Sequence, residues 1–261
     1  MNQKNSVLAV VAEKAYDDII HPVAKPTGQI LSLLPQAIYS KLVPLREWIA
    51  IQEHNFDKTL KLLSEKMSNV PPESIVSPEP YVAVPALQNL SYCMDRTELR
   101  EMYANLLAHS MTDIQKAGVH PGFVEIIKQL SPDEAKILRN MANDIIPTIT
   151  LRYETDEGGG IDFIKHFSDI GEKSQCDTPY ETNKCFDNLV RLGLIEKSEL
   201  QSLTNKTFYE ELKQHPFIQR YSDPSILKDT SYTKVSFKES FVRITDFGNA
   251  FCAVCIVDDL A

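Results

Sequence analysis

The chain has 261 residues, 43% hydrophobic and 24% charged, with a formal net charge of −9. It belongs with ordinary globular proteins large enough to bury a core, which excludes disordered and fibrous classes. Residues 1–120 hold 11 Lys/Arg against 13 Asp/Glu, and residues 121–261 hold the other 16 and 23. No basic patch of the kind that grips phosphate backbones stands out, so nucleic acid is a disfavoured partner. The start, MNQKNSVLAVVAEKAYDD, turns acidic after a brief apolar run, unlike a secretory signal. No uncharged stretch reaches the roughly 18–20 residues of a spanning helix. Five cysteines without framework spacing fit reduced thiols, and a cytoplasmic location is expected.

In chain order, helices are predicted over 6–20, 27–39, 44–67, 82–92 and 97–112. The breaks fall at His21-Pro22, Lys25-Pro26, Pro35 and the proline cluster PPESIVSPEP, which reads as a connector ordered by contact rather than by its own hydrogen bonds. Asp95 and Glu98 have capping-box spacing ahead of the helix 97–112. Its apolar stripe is Leu99, Met102, Tyr103, Leu106, Leu107 and Ser110, with Asn105 and His109 assigned to other faces. Gly118 and Pro121 make a short turn before a helical connector from Phe123 to Leu130.

Ser131-Pro132-Asp133-Glu134 is a second capping box with proline at the first helical position, opening a helix over 132–143. Residues 148–153 alternate as a strand and run into the turn Asp156-Glu157-Gly158-Gly159-Gly160. Thr178 with Glu181 suggests a third capping box and a helix through Leu192. Gly193 ends that helix in the left-handed region, and Leu194-Ile195-Glu196 leaves as a strand. Residues 232–237 and 241–245 pair as a predicted hairpin, followed by a closing helix over 246–257.

The predicted fold class is mainly α (α+β). A helical N-terminal region, 1–117, packs on a winged-helix-like C-terminal region, 118–261, with a small β-hairpin and an insert at 197–231 that carries an extra helix over 207–214. The physical logic is that Leu192 and Ile195 seat the helix on the hairpin while Gly193 permits a sharp exit.

A set of short motifs in order carries a family resemblance. They are Ala15-Tyr16-Asp17-Asp18 with His21-Pro22, then Leu42-Val43-Pro44-Leu45-Arg46, Pro71-Pro72-Glu73, Pro78-Glu79-Pro80 and Pro85-Ala86-Leu87. The run from Glu98 to Ala108 and the run from His120 to Ile127 complete them. With these the chain resembles the abortive-infection alpha family of bacteria and their mobile elements, over roughly residues 10–255. The resemblance implies a role in phage defence or toxin-like conflict and brings no catalytic residues with it.

The residues themselves offer few sites. His120 precedes a helix but has no second ligand at metal spacing, and reads as a turn cap. Tyr16, Asp17 and His21 could form a small cation or ligand cluster, against the reading of a solvated helix end. Glu181, Lys184 and Arg191 lie on the helix that would read DNA if the module did, yet with Asp187 their charges cancel. Cys252 and Cys255 are spaced as a CxxC inside an apolar helix and read as core thiols. The glycine turn lacks the Lys-Ser/Thr of a phosphate loop, and no serine, zinc-protease or nuclease signature is present. No cofactor and no catalysis are expected. Residues 26–40 are uncharged and are followed by Leu42-Val43-Pro44-Leu45; with Lys25, Lys41 and Arg46 at its flanks, the segment 26–45 could lie in a membrane interface at the inner face. The leading expectation is a non-enzymatic abortive-infection component that acts through protein contacts or as a conditional effector with a toxic conformation. A DNA-binding regulator and a membrane-perturbing effector are the alternatives.

Overall fold

The computed structural model describes residues 62–257 apart from 91–92, 94, 142–144 and 229. The predicted helices 6–20 and 27–39, most of 44–67, and the membrane-contact segment 26–45 lie outside the described residues. The chain divides into two compact units, residues 1–128 with 257–261, and residues 129–256.

In the first unit residues 62–66 are helical and run into a 3-10 turn, Met67–Asn69. Two longer helices follow, α1 (Pro80–Leu90) and α2 (Thr97–Ser110), packed on one another. The expected cap at Asp95 does not form: Arg96 holds the N-cap position without a side-chain bond. Asn105 and His109, expected on outer faces, are buried, because α2 is enclosed on every side from Met102 to Ser110. A buried helix still carries polar groups, which must find local partners. His109 Nδ1 meets the Asn105 carbonyl at 2.9 Å, and burial pushes its pKa down. Ser110 donates to Leu107 O and Thr112 to Ala108 O.

The proline connector makes more hydrogen bonds than the sequence reading allows. Ser74 N–H donates to Pro71 O within it, Val76 N–H donates to Met111 O, and Ile75 bridges Thr112 at the end of α2. Tyr103 donates from α2 to Val124 O of α3 (Gly122–Gln129), whose buried face is Phe123, Val124, Ile126 and Ile127.

The second unit opens with α4 (Pro132–Met141), capped as predicted. Ser131 N–H donates to Glu134 Oε2 at 2.7 Å, and Glu134 N–H to Ser131 Oγ at 3.2 Å. The hairpin β1 (Ile146–Glu154) to β2 (Gly160–Phe167) turns at the predicted glycines, with Gly158 at φ +82°. Next come α5 (Ile170–Lys173), α6 (Thr182–Arg191) and β3 (Ile195–Ser198). The insert supplies α7 (Thr207–Lys213), α8 (Pro216–Ser222) and a 3-10 turn, Pro224–Leu227. The unit ends with β4 (Lys234–Ile244) and α9 (Asp246–Cys255).

The fold is therefore mixed α/β, with a four-stranded antiparallel sheet in the order β2-β1-β4-β3. The hairpin predicted over 232–245 is corrected to one continuous strand. Its charged centre looks like a turn in sequence, but both charges are paired. Lys238 reaches Asp162 at 2.9 Å, and Glu239 takes Lys206 at 2.6 Å and Lys213 at 2.9 Å. The small hairpin is thereby absorbed into a larger sheet.

The insert covers one face of that sheet. Tyr209, Leu212, Ile218 and Leu227 pack on Ile149, Leu151, Tyr153 and Phe167. Burying each such side chain contributes roughly 1.5–3 kcal/mol, so the insert is integral to the core. Tyr209 also donates to Ser240 O at 3.0 Å and accepts from Leu203 N–H at 2.8 Å, which satisfies its buried hydroxyl.

The α6 exit behaves as its sequence implies. Gly193 has φ +74°, Leu194 N–H reaches back to Leu189 O, and Gly193 N–H to Val190 O, the paired bonds of a Schellman end. Thr245 then donates to Gly193 O and accepts from Gly248 N–H, tying this exit to the start of α9. A Cβ on Gly248 would sit 1.9 Å from Leu194 O, a backbone atom that cannot turn aside. Gly248→Ala is expected to cost at least about 2 kcal/mol by overpacking, read as a lowered urea midpoint at unchanged m-value.

Candidate functional site

The predicted site residues do not converge. Tyr16, Asp17 and His21 lie outside the described residues. His120 is exposed in the first unit, where its Nδ1 accepts the Gly122 N–H at 3.0 Å, an exposed cap rather than a buried one. Glu181 sits at the start of α6 and pairs with Lys184 at 3.5 Å. Arg191 is held at the far end of α6 by Asn188 Oδ1 and by Gln129 Oε1 at 2.9 Å. The charges of α6 are thus met within its own unit, and Lys197 in β3 is taken by Asp187.

Cys252 and Cys255 are buried in α9, as read from the sequence; Cys185 in α6 is buried as well, and Cys176 is partly buried. Burial pushes Cys252 and Cys185 up to about 12 and Cys176 to about 11, and Cys255 is raised well above the ordinary thiol range. Such groups stay protonated and are poor nucleophiles. No group of three or more His, Cys, Asp or Glu among the described residues could hold a metal ion.

What the second unit does present is an aromatic row that the sequence reading missed. Tyr180 stacks on Phe217, with centroids 4.4 Å apart and planes 10° apart. Phe217 meets Tyr221 edge-on at 5.3 Å, and Tyr221 meets Phe163 at 5.6 Å. Phe163 stacks on Tyr153 at 4.8 Å, and Tyr153 lies against Tyr232. The row joins β1, β2, the segment before α6, α8 and the segment before β4. Phe163 is 48% and Tyr180 45% exposed, with Ile161 beside them in β2 at 44%. These are large apolar side chains left nearly half exposed within or next to a continuous set of ring contacts.

Two devices position the row. The first is β2 itself, an edge strand with two register shifts against β1 between Ile149 and Arg152. One extra residue flips the side-chain alternation, and the kink carries His166 into the left-handed region at φ +47°. Thr150 Oγ1 accepts the His166 N–H at 3.1 Å, and Ser240 Oγ lies 3.4 Å from its Nδ1. Bulges of this kind bend an edge strand and increase its local twist.

The second device is Asp133 on α4. It accepts the N–H groups of Asp177 at 2.8 Å and Thr178 at 3.0 Å, and the Thr178 hydroxyl at 3.1 Å. Lys136 adds 3.3 Å to Asp133 and 3.1 Å to Asp177. Burial alone would push the Asp133 carboxyl up, but these donors together hold it below the usual carboxylate range. The capping box expected at Thr178 does not form: these bonds fix the backbone at Asp177 and Thr178, α6 begins only at Thr182 with Glu181 at its N-cap, and the chain between is held where Tyr180 faces Phe217. Tyr180 finishes the arrangement by donating to Glu172 Oε1 at 2.8 Å, while Glu172 Oε2 meets His215 Nε2 at 2.8 Å.

No functionally curated protein matches the chain. Among solved structures, an uncharacterized protein from the hydrocarbon-degrading marine bacterium Alcanivorax borkumensis SK2 is similar at 18% identity, over 56% of this chain and 96% of that one. Its TM-score is 0.35, too low to carry an argument. The family model for abortive infection alpha matches residues 51–255, a span that takes in every element described above. The chain belongs to the abortive infection alpha family.

Proposed function

We propose that this protein is a non-enzymatic component of bacterial phage defence that acts by contact with a protein partner. Family membership supports the defence role. The observation that carries the mode of action is the aromatic row, whose most exposed members are Tyr180 and Phe163. Aromatic side chains dominate protein contacts because each buries a large area at small entropic cost.

The segment α6-β3-β4-α9 is read as a winged-helix-like module put to protein contact. The alternative use, DNA recognition, needs unpaired cations on α6, and Lys184 and Arg191 are both engaged. No helix among the described residues is long and apolar enough to cross a membrane. The reading is tested by phage plating and culture survival on cells expressing the chain. Protection at low phage dose with culture collapse at high dose is the expected result. Equal plating with and without the protein across a broad phage panel would sink the defence role.

A further inference from the structure

At Tyr180 the aromatic row meets a carboxylate that has no lysine or arginine beside it. Phe217 covers one face of the Tyr180 ring, at 4.4 Å and nearly parallel, yet the residue is 45% exposed, so the ring keeps open surface away from Phe217. The Tyr180 hydroxyl donates to Glu172 Oε1 at 2.8 Å, and His215 Nε2 meets Glu172 Oε2 at 2.8 Å. The bond from His215, together with that from Tyr180, holds the Glu172 carboxyl below its usual range against partial burial. The same carboxylate pushes the Tyr180 hydroxyl up. Glu172 is therefore ionised at neutral pH and Tyr180 remains its donor.

Neighbouring carboxylates are matched differently. Asp133 and Asp177 share Lys136, Asp169 takes Lys173 at 2.9 Å, and Glu181 takes Lys184. Among the described residues no lysine or arginine pairs with Glu172, whose side chain is 40% exposed. Each carboxylate oxygen accepts at two positions. Tyr180 and His215 occupy one on each oxygen, which leaves one on each, the pair that a guanidinium fork takes. Elsewhere in the row the fold already sets such a group on a ring, with Arg220 over Tyr221 at 5.9 Å. The surrounding charge has the matching sign: residues 129–256 hold 15 Lys/Arg against 20 Asp/Glu, a net of −5.

We propose that Tyr180 and Glu172 form a receptor for an arginine side chain of a protein partner, the guanidinium lying on the open surface of the Tyr180 ring and forking onto the two Glu172 oxygens. A planar guanidinium stacks on an aromatic face and meets a carboxylate at two points, whereas an ammonium is a compact point charge without the fork. The use of this site in defence rests on the aromatic row being a contact surface. The site itself is measured with a short peptide and needs no partner.

The test is a titration of the isotope-labelled full chain with acetyl-Gly-Arg-Gly-amide, read from amide NMR shifts. The same peptide is run with citrulline, lysine or norleucine in place of arginine. Citrulline keeps the shape and removes the charge. The arginine peptide should shift the amides of Glu172, Tyr180 and Phe217 and bind about tenfold tighter than the citrulline peptide. Glu172→Gln should bring arginine down to the citrulline level while leaving citrulline binding unchanged. Tyr180→Leu should weaken arginine as well, and unmoved signals from β1 and β4 show that each variant is folded. Equal binding of arginine and citrulline, lysine as tight as arginine, norleucine tighter than either, shifts centred on other carboxylates, or unchanged arginine binding in Glu172→Gln would each overturn the site. Selective arginine binding alongside full phage protection by a folded Phe163→Ser, Tyr180→Ala chain would keep the site and remove the row from defence. Lost protection in that chain without selective arginine binding would keep the row and remove the arginine.

Discussion

Asp133→Ala is expected to destabilise the second unit by about 3 kcal/mol at neutral pH, the scale for removing one charged member of a half-buried network and stranding its donors. The stranded groups are the N–H groups of Asp177 and Thr178, the Thr178 hydroxyl, and Lys136, all of which converge on this carboxylate. Chemical unfolding followed by tryptophan-independent circular dichroism gives the number. The pH dependence gives the cause. A carboxyl held below its ordinary range contributes stability that is present above its unfolded pKa and is lost as pH falls through the folded one. The gap between native and Asp133→Ala should therefore be full at neutrality and shrink on the acid side of the ordinary carboxylate range. A gap that stays constant from neutral to strongly acid pH would show that lost packing, not lost charge, sets the effect. Asp133→Asn keeps the shape and separates the two: it retains an acceptor for one N–H but turns a donor toward another, and should still lose most of the stability.

The second expected result is functional. Phe163→Ser with Tyr180→Ala should abolish phage protection, returning plating efficiency to that of cells without the protein, while unfolding stability drops by less than about 2 kcal/mol. Both residues are nearly half exposed, so the core grouping of Ile149, Leu151, Tyr209 and Ile218 survives their loss. Removing two central aromatic anchors from an interface weakens it by about thirtyfold or more. Full protection by a folded double variant would remove the aromatic row from the mechanism. Glu181→Ala with Lys184→Ala serves as the matched control on the α6 surface, and retention of protection is expected there because that exposed ion pair contributes little.

How far the structure was legible in the sequence depended on how local each signal was. The capping box at Ser131, the glycine turn at residues 156–160 and the Gly193 exit were readable because each is satisfied within a few residues. Thr178 offered the same pattern and misled, because Asp133, 45 residues away, fixes the backbone there and α6 starts only at Thr182. Lys238 and Glu239 looked like a turn for the same reason: their partners Asp162, Lys206 and Lys213 are distant in the chain. Helix α2 showed its apolar stripe correctly, but periodicity could not show that its polar side would be enclosed as well.

By itself the sequence determined the α2–α3–α4 succession, strand β1 with the glycine turn after it, the helix-to-strand exit at Gly193, the core character of Cys252 and Cys255, and the family. These rest on caps, turns and spacings that neighbouring residues settle among themselves. Only the tertiary structure decided the four-stranded sheet, the role of the insert as its cover, and the site. Tyr153, Phe163, Tyr180, Phe217, Tyr221 and Tyr232 span 80 residues of sequence without a shared spacing. Two bulges in β2 and the Asp133 carboxylate bring them into one row, and such long-range closure leaves no periodic mark in a chain.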